Sequence, residues 1–200
     1  MRLRKTSRAK RLRLRQRIGY SSAGVSKQLT GLARNLWMST LIYIETSVAS
    51  FYHETRPERD LQSRRDWTRQ WWGMPKFDQE LVIGLPVISE LEETPPPKRN
   101  KVLALIAQLR ILPYVQEIAD VVEVYFAHKL MPKDAQGDAE HLALASFHNC
   151  DMLVTWNCKH LANANKFGHI HRVNALLGLR TPSLVTPLQL LEKDDEDEAI

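Results

Sequence analysis

The sequence is poor in cysteine, in long apolar runs and in glycine-rich loops. Cys150 and Cys158 are the only cysteines in 200 residues, and they form neither a CxxC nor a CxxxxC pair. A disulfide framework and a cysteine-built zinc site are therefore unsupported, and a reducing, cytoplasmic setting is the expectation. No stretch approaches the ~18 consecutive apolar residues of a membrane span, so no membrane association is predicted. Neither GxGxxG nor a Walker A sequence occurs, which removes the usual cradles for nucleotide phosphates. Acidic residues are missing from positions 1–37, which hold 11 Lys/Arg. Positions 38–200 hold 17 Lys/Arg against 23 Asp/Glu, a net of −6 behind a chain total of +5. A uniformly basic nucleic-acid-binding domain is excluded; the pattern is a mildly acidic body behind a basic leader.

What is present divides into three parts: a basic leader over 1–37, one domain over 38–191 and an acidic tail over 192–200. The leader alternates Leu with Arg near its start, a strand-like pattern with nothing nearby to pair with, and reads as mostly disordered. Three roles compete for it: an arm on nucleic-acid phosphates, an organelle transit peptide, or a start site placed upstream of the true Met38. The last is preferred, because the charge regime changes where Met38 meets a strand-like opening.

In the body, apolar β-branched runs alternate with helical patterns. Strands are predicted at Leu41–Ile44, Glu80–Ile83, Ile111–Val115, Asp151–Trp156 and Ser183–Thr186. Pro113 places the third at a sheet edge. Thr46 and Ser47 are N-cap types for a helix after the first strand. Further helices are expected over 59–72, from Pro86, over Lys98–Leu109, Gln116–Leu130, Asp138–His148 and His169–Leu179, with a last turn over Pro187–Leu191. This alternation predicts an α/β fold with a mostly parallel central sheet, whose sites form beyond the strands' carboxyl ends.

Three acids stand out. Glu45 ends the first apolar strand, Glu90 lies one turn after Pro86, and Asp138 opens the helix feeding the Asp151–Trp156 strand. An acid on an apolar strand flank costs desolvation unless it is paired or bound to a cation. Converging carboxylates would repel one another unless a divalent ion such as Mg²⁺ or Mn²⁺ joined them. Each acid also has an ordinary reading: a helix-start acid for Glu45, a solvated helix face for Glu90, a turn or N-cap for Asp138.

The segments YIETSVASFY (43–52), GDAEHLALA (137–145) and LVTWNCKHLANA (153–164), with the Glu90 segment between, resemble the PIN-domain ribonucleases, in the VapC-like toxin branch of type II toxin–antitoxin systems. The resemblance spans about 41–190. It implies a Rossmann-like three-layer sandwich and Mg²⁺- or Mn²⁺-dependent hydrolysis of RNA phosphodiester bonds. It assigns the metal-holding, catalytic acids to Glu45, Glu90 and Asp138. It also implies an antitoxin protein partner and a homodimer. Two positions depart from the wider family: Glu45 stands where Asp is usual, and Asn157 where many members carry a fourth acid. The second departure favours one ion over two.

Around the acids, Thr46, Ser47, Thr155, Asn157 and His160 are candidates for orienting ligands or contacting phosphate. Lys159 joins His160 as a possible phosphate contact, with a solvated loop equally open. His141, three residues after Asp138, is preferred as a half-buried structural residue. Trp67, Trp71 and Trp72 are preferred as core or interface rather than base-stacking groups, and Cys158 as packing. A competing function is a non-catalytic binding protein on a degenerate PIN scaffold.

Overall fold

The computed structural model describes residues 39–132 and 135–191. The expected leader over 1–37 and tail over 192–200 lie outside the described residues. Five strands, β1 (Thr40–Ile44), β2 (Gln79–Gly84), β3 (Arg110–Leu112), β4 (Met152–Val154) and β5 (Ser183–Val185), form one sheet in the order β3-β2-β1-β4-β5. Every pairing among them is parallel. Between them run α1 (Thr46–Tyr52), α2 (Arg59–Gly73), α3 (Leu85–Glu92), α4 (Lys98–Ile106), α5 (Gln116–Ala127), α6 (Gln136–Phe147) and α7 (Ala164–Leu177). A short 3-10 turn over Leu188–Leu190 follows β5. The predicted α/β class is thus found, with a wholly parallel sheet flanked by helices.

The chain steps outward from β1 to β2 and β3, then returns past β1 to β4 and β5. Right-handed crossovers put the helices of these two excursions on opposite faces. Consistent with this, α1, α3 and α4 pack together, α2 packs on α1, and α5 packs on α6. The change of direction between β1 and β4 opens a crevice at their carboxyl ends. Ile42, Tyr43 and Ile44 are buried in succession, as a central strand covered on both faces requires. Burial is lost at the edge, where Arg110 and Ile111 are exposed and only Leu112 is covered.

Several boundaries differ from the sequence reading. The first helix is capped by Glu45, not Thr46 or Ser47: Glu45 is extended (φ −82°, ψ 155°) and its side chain accepts from the Ser47 N–H. The ordinary reading of Glu45 as a helix-start acid is therefore correct in geometry. α6 begins at Gln136, so Asp138 lies inside its first turn rather than capping it. α4 ends at Ile106, short of Leu109. α7 begins five residues before His169, because Asn163 caps it by accepting from the Asn165 N–H. Its first five residues, ANKFG, carry only Ala164 and Phe167 as apolar groups, too few to reveal a helix. At the far end Gly178 (φ 74°) adopts the left-handed conformation that closes the helix.

The tryptophans of α2 are packing groups. Trp71 is buried, and Trp67 stacks on Trp156 at 6.1 Å between ring centroids. Trp156 Nε1 donates to the buried Thr68 Oγ1 at 2.8 Å, and Arg64 lies over the Trp156 ring. This cluster anchors the segment that leaves β4.

Candidate active site at the carboxyl ends of β1 and β4

Register sets the first part of the site. Ile44 pairs with Val154, and the Glu45 N–H donates to the Val154 carbonyl at 3.1 Å. Glu45 and Thr155, each one residue past its strand, therefore lie side by side. Thr155 Oγ1 donates to Glu45 Oε2 at 2.7 Å, and Ser47 Oγ donates to the same oxygen. Ser47 Oγ in turn accepts from the Trp156 N–H at 2.9 Å. The Glu45 carboxylate, 6% exposed, is thus held by two hydroxyls and a helix N-terminus, where the backbone dipole favours a negative charge.

Glu90 enters from α3, whose start is fixed by Pro86 in its first turn. His141, from α6, is fully buried between the two acids. Its Nε2 lies 3.3 Å from Glu90 Oε1 and Oε2, 4.0 Å from Glu45 Oε1 and 3.4 Å from Thr46 Oγ1. Its Nδ1 lies 2.9 Å from the buried Tyr43 Oη. Burial pulls the His141 pKa down, but the hydrogen bond to Glu90 and the charges of Glu45, Glu90 and Asp138 outweigh it and raise the value. Burial likewise works to raise Glu90, and contact with His141 and Thr46 overrides it, leaving the carboxyl below its ordinary value. The close approach of β2 makes room for the tyrosine: a Cβ on Gly84 would stand 2.7 Å from Tyr43 Oη and 2.5 Å from Leu144.

Asp138 faces the other side of the same site. Asn157 Nδ2 donates to both of its oxygens, at 2.8 and 2.9 Å. Asn157 is itself fixed: its N–H donates to Thr155 Oγ1 at 2.8 Å, and its Oδ1 accepts from the N–H groups of Lys159 and His160. Burial and the neighbouring Glu45 charge raise the Asp138 pKa against the favourable contacts of Asn157, His160 and His141. Gly137 lies against Glu90, so that any Cβ there would collide with Glu90 Oε1. A groove of about 330 Å³, lined by Leu85, Pro86, Glu90, Tyr114 and Gly137 among others, opens beside the cluster.

The structure therefore gathers Glu45 and Glu90 with His141, and sets Asp138 beside them within the field of Glu45. Side-chain ligand atoms of Glu45, Glu90 and His141 lie within 4.8 Å of one another. Donors on opposite sides of a Mg²⁺-sized ion are about 4 Å apart, so this set fits one small divalent cation after a slight closure. Thr46, Ser47 and Thr155 are directed to the carboxylates and histidine rather than outward. Asn157 holds Asp138. The His160 ring has Nδ1 3.4 Å from Lys166 Nζ and stands at the rim. Two expectations need correction. His141 is not half-buried but fully buried, and it sits inside the acid cluster. Cys158 is exposed and is therefore not a packing residue, while Cys150 is buried, which raises its thiol pKa to about 12. The signal for His141 was its spacing from Asp138 on one helix; its partner Tyr43, in the middle of an apolar strand, carried none.

No protein-family model matches the sequence, and no curated protein matches it. Among solved structures, a chain of the VapBC2 complex from Rickettsia felis, crystallised with a DNA fragment from its promoter, is similar over 60% of this chain and 89% of that one, at 13% identity and a TM-score of 0.39. At that level of likeness, any reading of function has to stand on the geometry of the site and on the motifs themselves.

Proposed function

We propose that the protein is a metal-dependent endoribonuclease of the PIN type, the toxin of a toxin–antitoxin pair. The observation that supports the chemistry is the convergence of Glu45, Glu90, Asp138 and His141, from β1's end, α3 and α6, on one crevice of a parallel sheet. Four such groups cost desolvation and, for the acids, mutual repulsion, a cost that a cation offsets. Glu45 and Glu90 would hold Mg²⁺ or Mn²⁺, with Asp138 completing the negative site. A divalent ion bound there supplies a Lewis acid for the scissile phosphate and a bound water of lowered pKa.

The chain's own groups do the rest. Ser47 and Thr155 fix the Glu45 carboxylate, and Asn157 fixes both oxygens of Asp138. Burial and the Glu45 charge raise the Asp138 pKa above its ordinary value, the direction that favours taking a proton from an attacking water. Lys159 and His160 at the rim face the path of an RNA phosphate. RNA as substrate, an antitoxin protein as inhibitor and a homodimer as the assembly rest on the resemblance of the YIETS, DAEH and TWNC segments.

The test is cleavage of RNA by the purified chain with and without EDTA, and by Asp138→Asn. Cleavage is expected to require the ion and to disappear in the variant while its circular dichroism is unchanged. Full activity of Asp138→Asn would overturn the mechanism. The reading as a non-catalytic binding protein draws on one observation, the His141–Glu90 ion pair, which already satisfies an acid without a metal. Calorimetry showing no Mg²⁺ or Mn²⁺ binding at millimolar ion would favour it.

A further inference from the structure

We infer that His141 Nε2 is itself a ligand to the divalent ion, so that the site takes a first-row transition ion such as Mn²⁺ in preference to Mg²⁺. This rests on the metal-dependent reading above and deepens it.

The first argument is placement. His141 is fully buried, and Nε2 faces Glu90 at 3.3 Å and Glu45 at 4.0 Å. A cation held between these two carboxylates would therefore stand beside Nε2 as well. The ring cannot turn away into solvent, because it has no exposed surface. Any ion seated there meets the Nε2 edge of the imidazole.

The second argument is the other ring nitrogen. Imidazole ligands to metals almost always have their second nitrogen held by a hydrogen bond that fixes the tautomer. Here Tyr43 Oη, buried and 2.9 Å from Nδ1, is that partner. A tyrosine hydroxyl can donate to a bare Nδ1 or accept from a protonated one, so it serves the ring in both states without moving. The tyrosine is in turn wedged against Gly84, where no side chain fits beside it. A purely structural histidine needs no such adaptable partner.

The third argument is donor chemistry. Mg²⁺ takes oxygen ligands and gives up water reluctantly, whereas imidazole nitrogen suits the transition ions from Fe²⁺ to Zn²⁺, with Mn²⁺ the weakest of the row to take it. Two carboxylates and one imidazole within 4.8 Å form a mixed oxygen–nitrogen set.

The experiment uses the full chain. Titration calorimetry compares Mn²⁺ with Mg²⁺ on the wild type and on His141→Gln. The wild type is expected to bind Mn²⁺ about tenfold or more tighter than Mg²⁺, and the variant to lose most of that difference. Because a buried substitution can impair folding, pulsed EPR of Mn²⁺ on the unaltered protein gives a second readout. Nitrogen hyperfine coupling that changes on ¹⁵N-histidine labelling is expected only if an imidazole is bound directly. Mn²⁺ binding without that coupling, or an unchanged Mn²⁺/Mg²⁺ ratio in a folded His141→Gln, overturns this inference and leaves the nuclease reading standing. Failure of the wild type to bind either ion overturns both.

Discussion

Thr155 is where the integrity of the site can be read as stability. Its hydroxyl, on a fully buried residue, donates to Glu45 Oε2 at 2.7 Å and accepts from the Asn157 N–H at 2.8 Å. Thr155→Val keeps shape and volume and removes both bonds. A hydrogen bond to a carboxylate contributes about 1.5–3 kcal/mol, and a buried donor left unpaired costs about 1–3 kcal/mol. Relaxation of the Asn157 loop recovers part of this, so a net loss of about 2–4 kcal/mol is expected. At roughly 2–4 °C per kcal/mol for a chain of this size, Tm falls by about 5–15 °C. Thr155→Ser keeps the hydroxyl and loses one methyl, about 0.8 kcal/mol. Urea unfolding at neutral pH with a common m-value measures both. A Val variant within about 0.5 kcal/mol of wild type, or a Ser variant as damaged as Val, would refute the reasoning. Either result would mean that the hydroxyl is not what holds Glu45.

Other outcomes follow from the same geometry. Asp138 has a raised folded pKa, so ionising it opposes folding: the penalty is absent below its ordinary value of 3.8 and grows as pH rises through the folded value. Asp138→Asn is therefore expected to raise Tm at pH 7 and to leave it nearly unchanged at pH 3, while abolishing cleavage. The His141–Glu90 pair has the opposite character. His141, raised, stabilises fully below 6.5 and fades as pH climbs through its folded value; Glu90, lowered, stabilises fully above 4.5 and fades as pH falls through its own. Without metal, the stability difference between wild type and Glu90→Gln should be largest between those two values, and a flat pH profile of that difference would remove the ion pair. Glu54, only 4% exposed, accepts from Arg56, Lys98 and the Thr55 and Arg56 N–H groups. Glu54→Gln should cost about 1–3 kcal/mol in urea unfolding without altering metal binding, since it lies outside the carboxylate cluster.

The sequence reading succeeded where one local cause was dominant. Leu41–Ile44 and Leu81–Ile83 are apolar because they lie in inner strands, and Pro113 marked a sheet edge, although β3 stops at Leu112 instead of running to Val115. It failed where the cause was a polar contact across the chain or a weak stripe. The start of α7 depends on the Asn163 cap, and its first turn is too short to show an apolar stripe. Glu45 displaced Thr46 and Ser47 as the cap because Ser47 Oγ is engaged with the Glu45 carboxylate and the Trp156 N–H.

The site divides along the same line. Residue type and position relative to the strands marked Glu45, Glu90 and Asp138 as candidates, each with an ordinary reading beside it. Periodicity and turn residues were enough to set the α/β class. Only the folded chain decided which groups meet. The parallel register brought Thr155 level with Glu45, the reversal of direction between β1 and β4 opened the crevice, and the packing of α6 drove His141 between two acids with Tyr43 behind it. Those contacts join residues 51 to 110 positions apart. Local periodicity constrains neighbours along one element, whereas such meetings are fixed by how the elements stack.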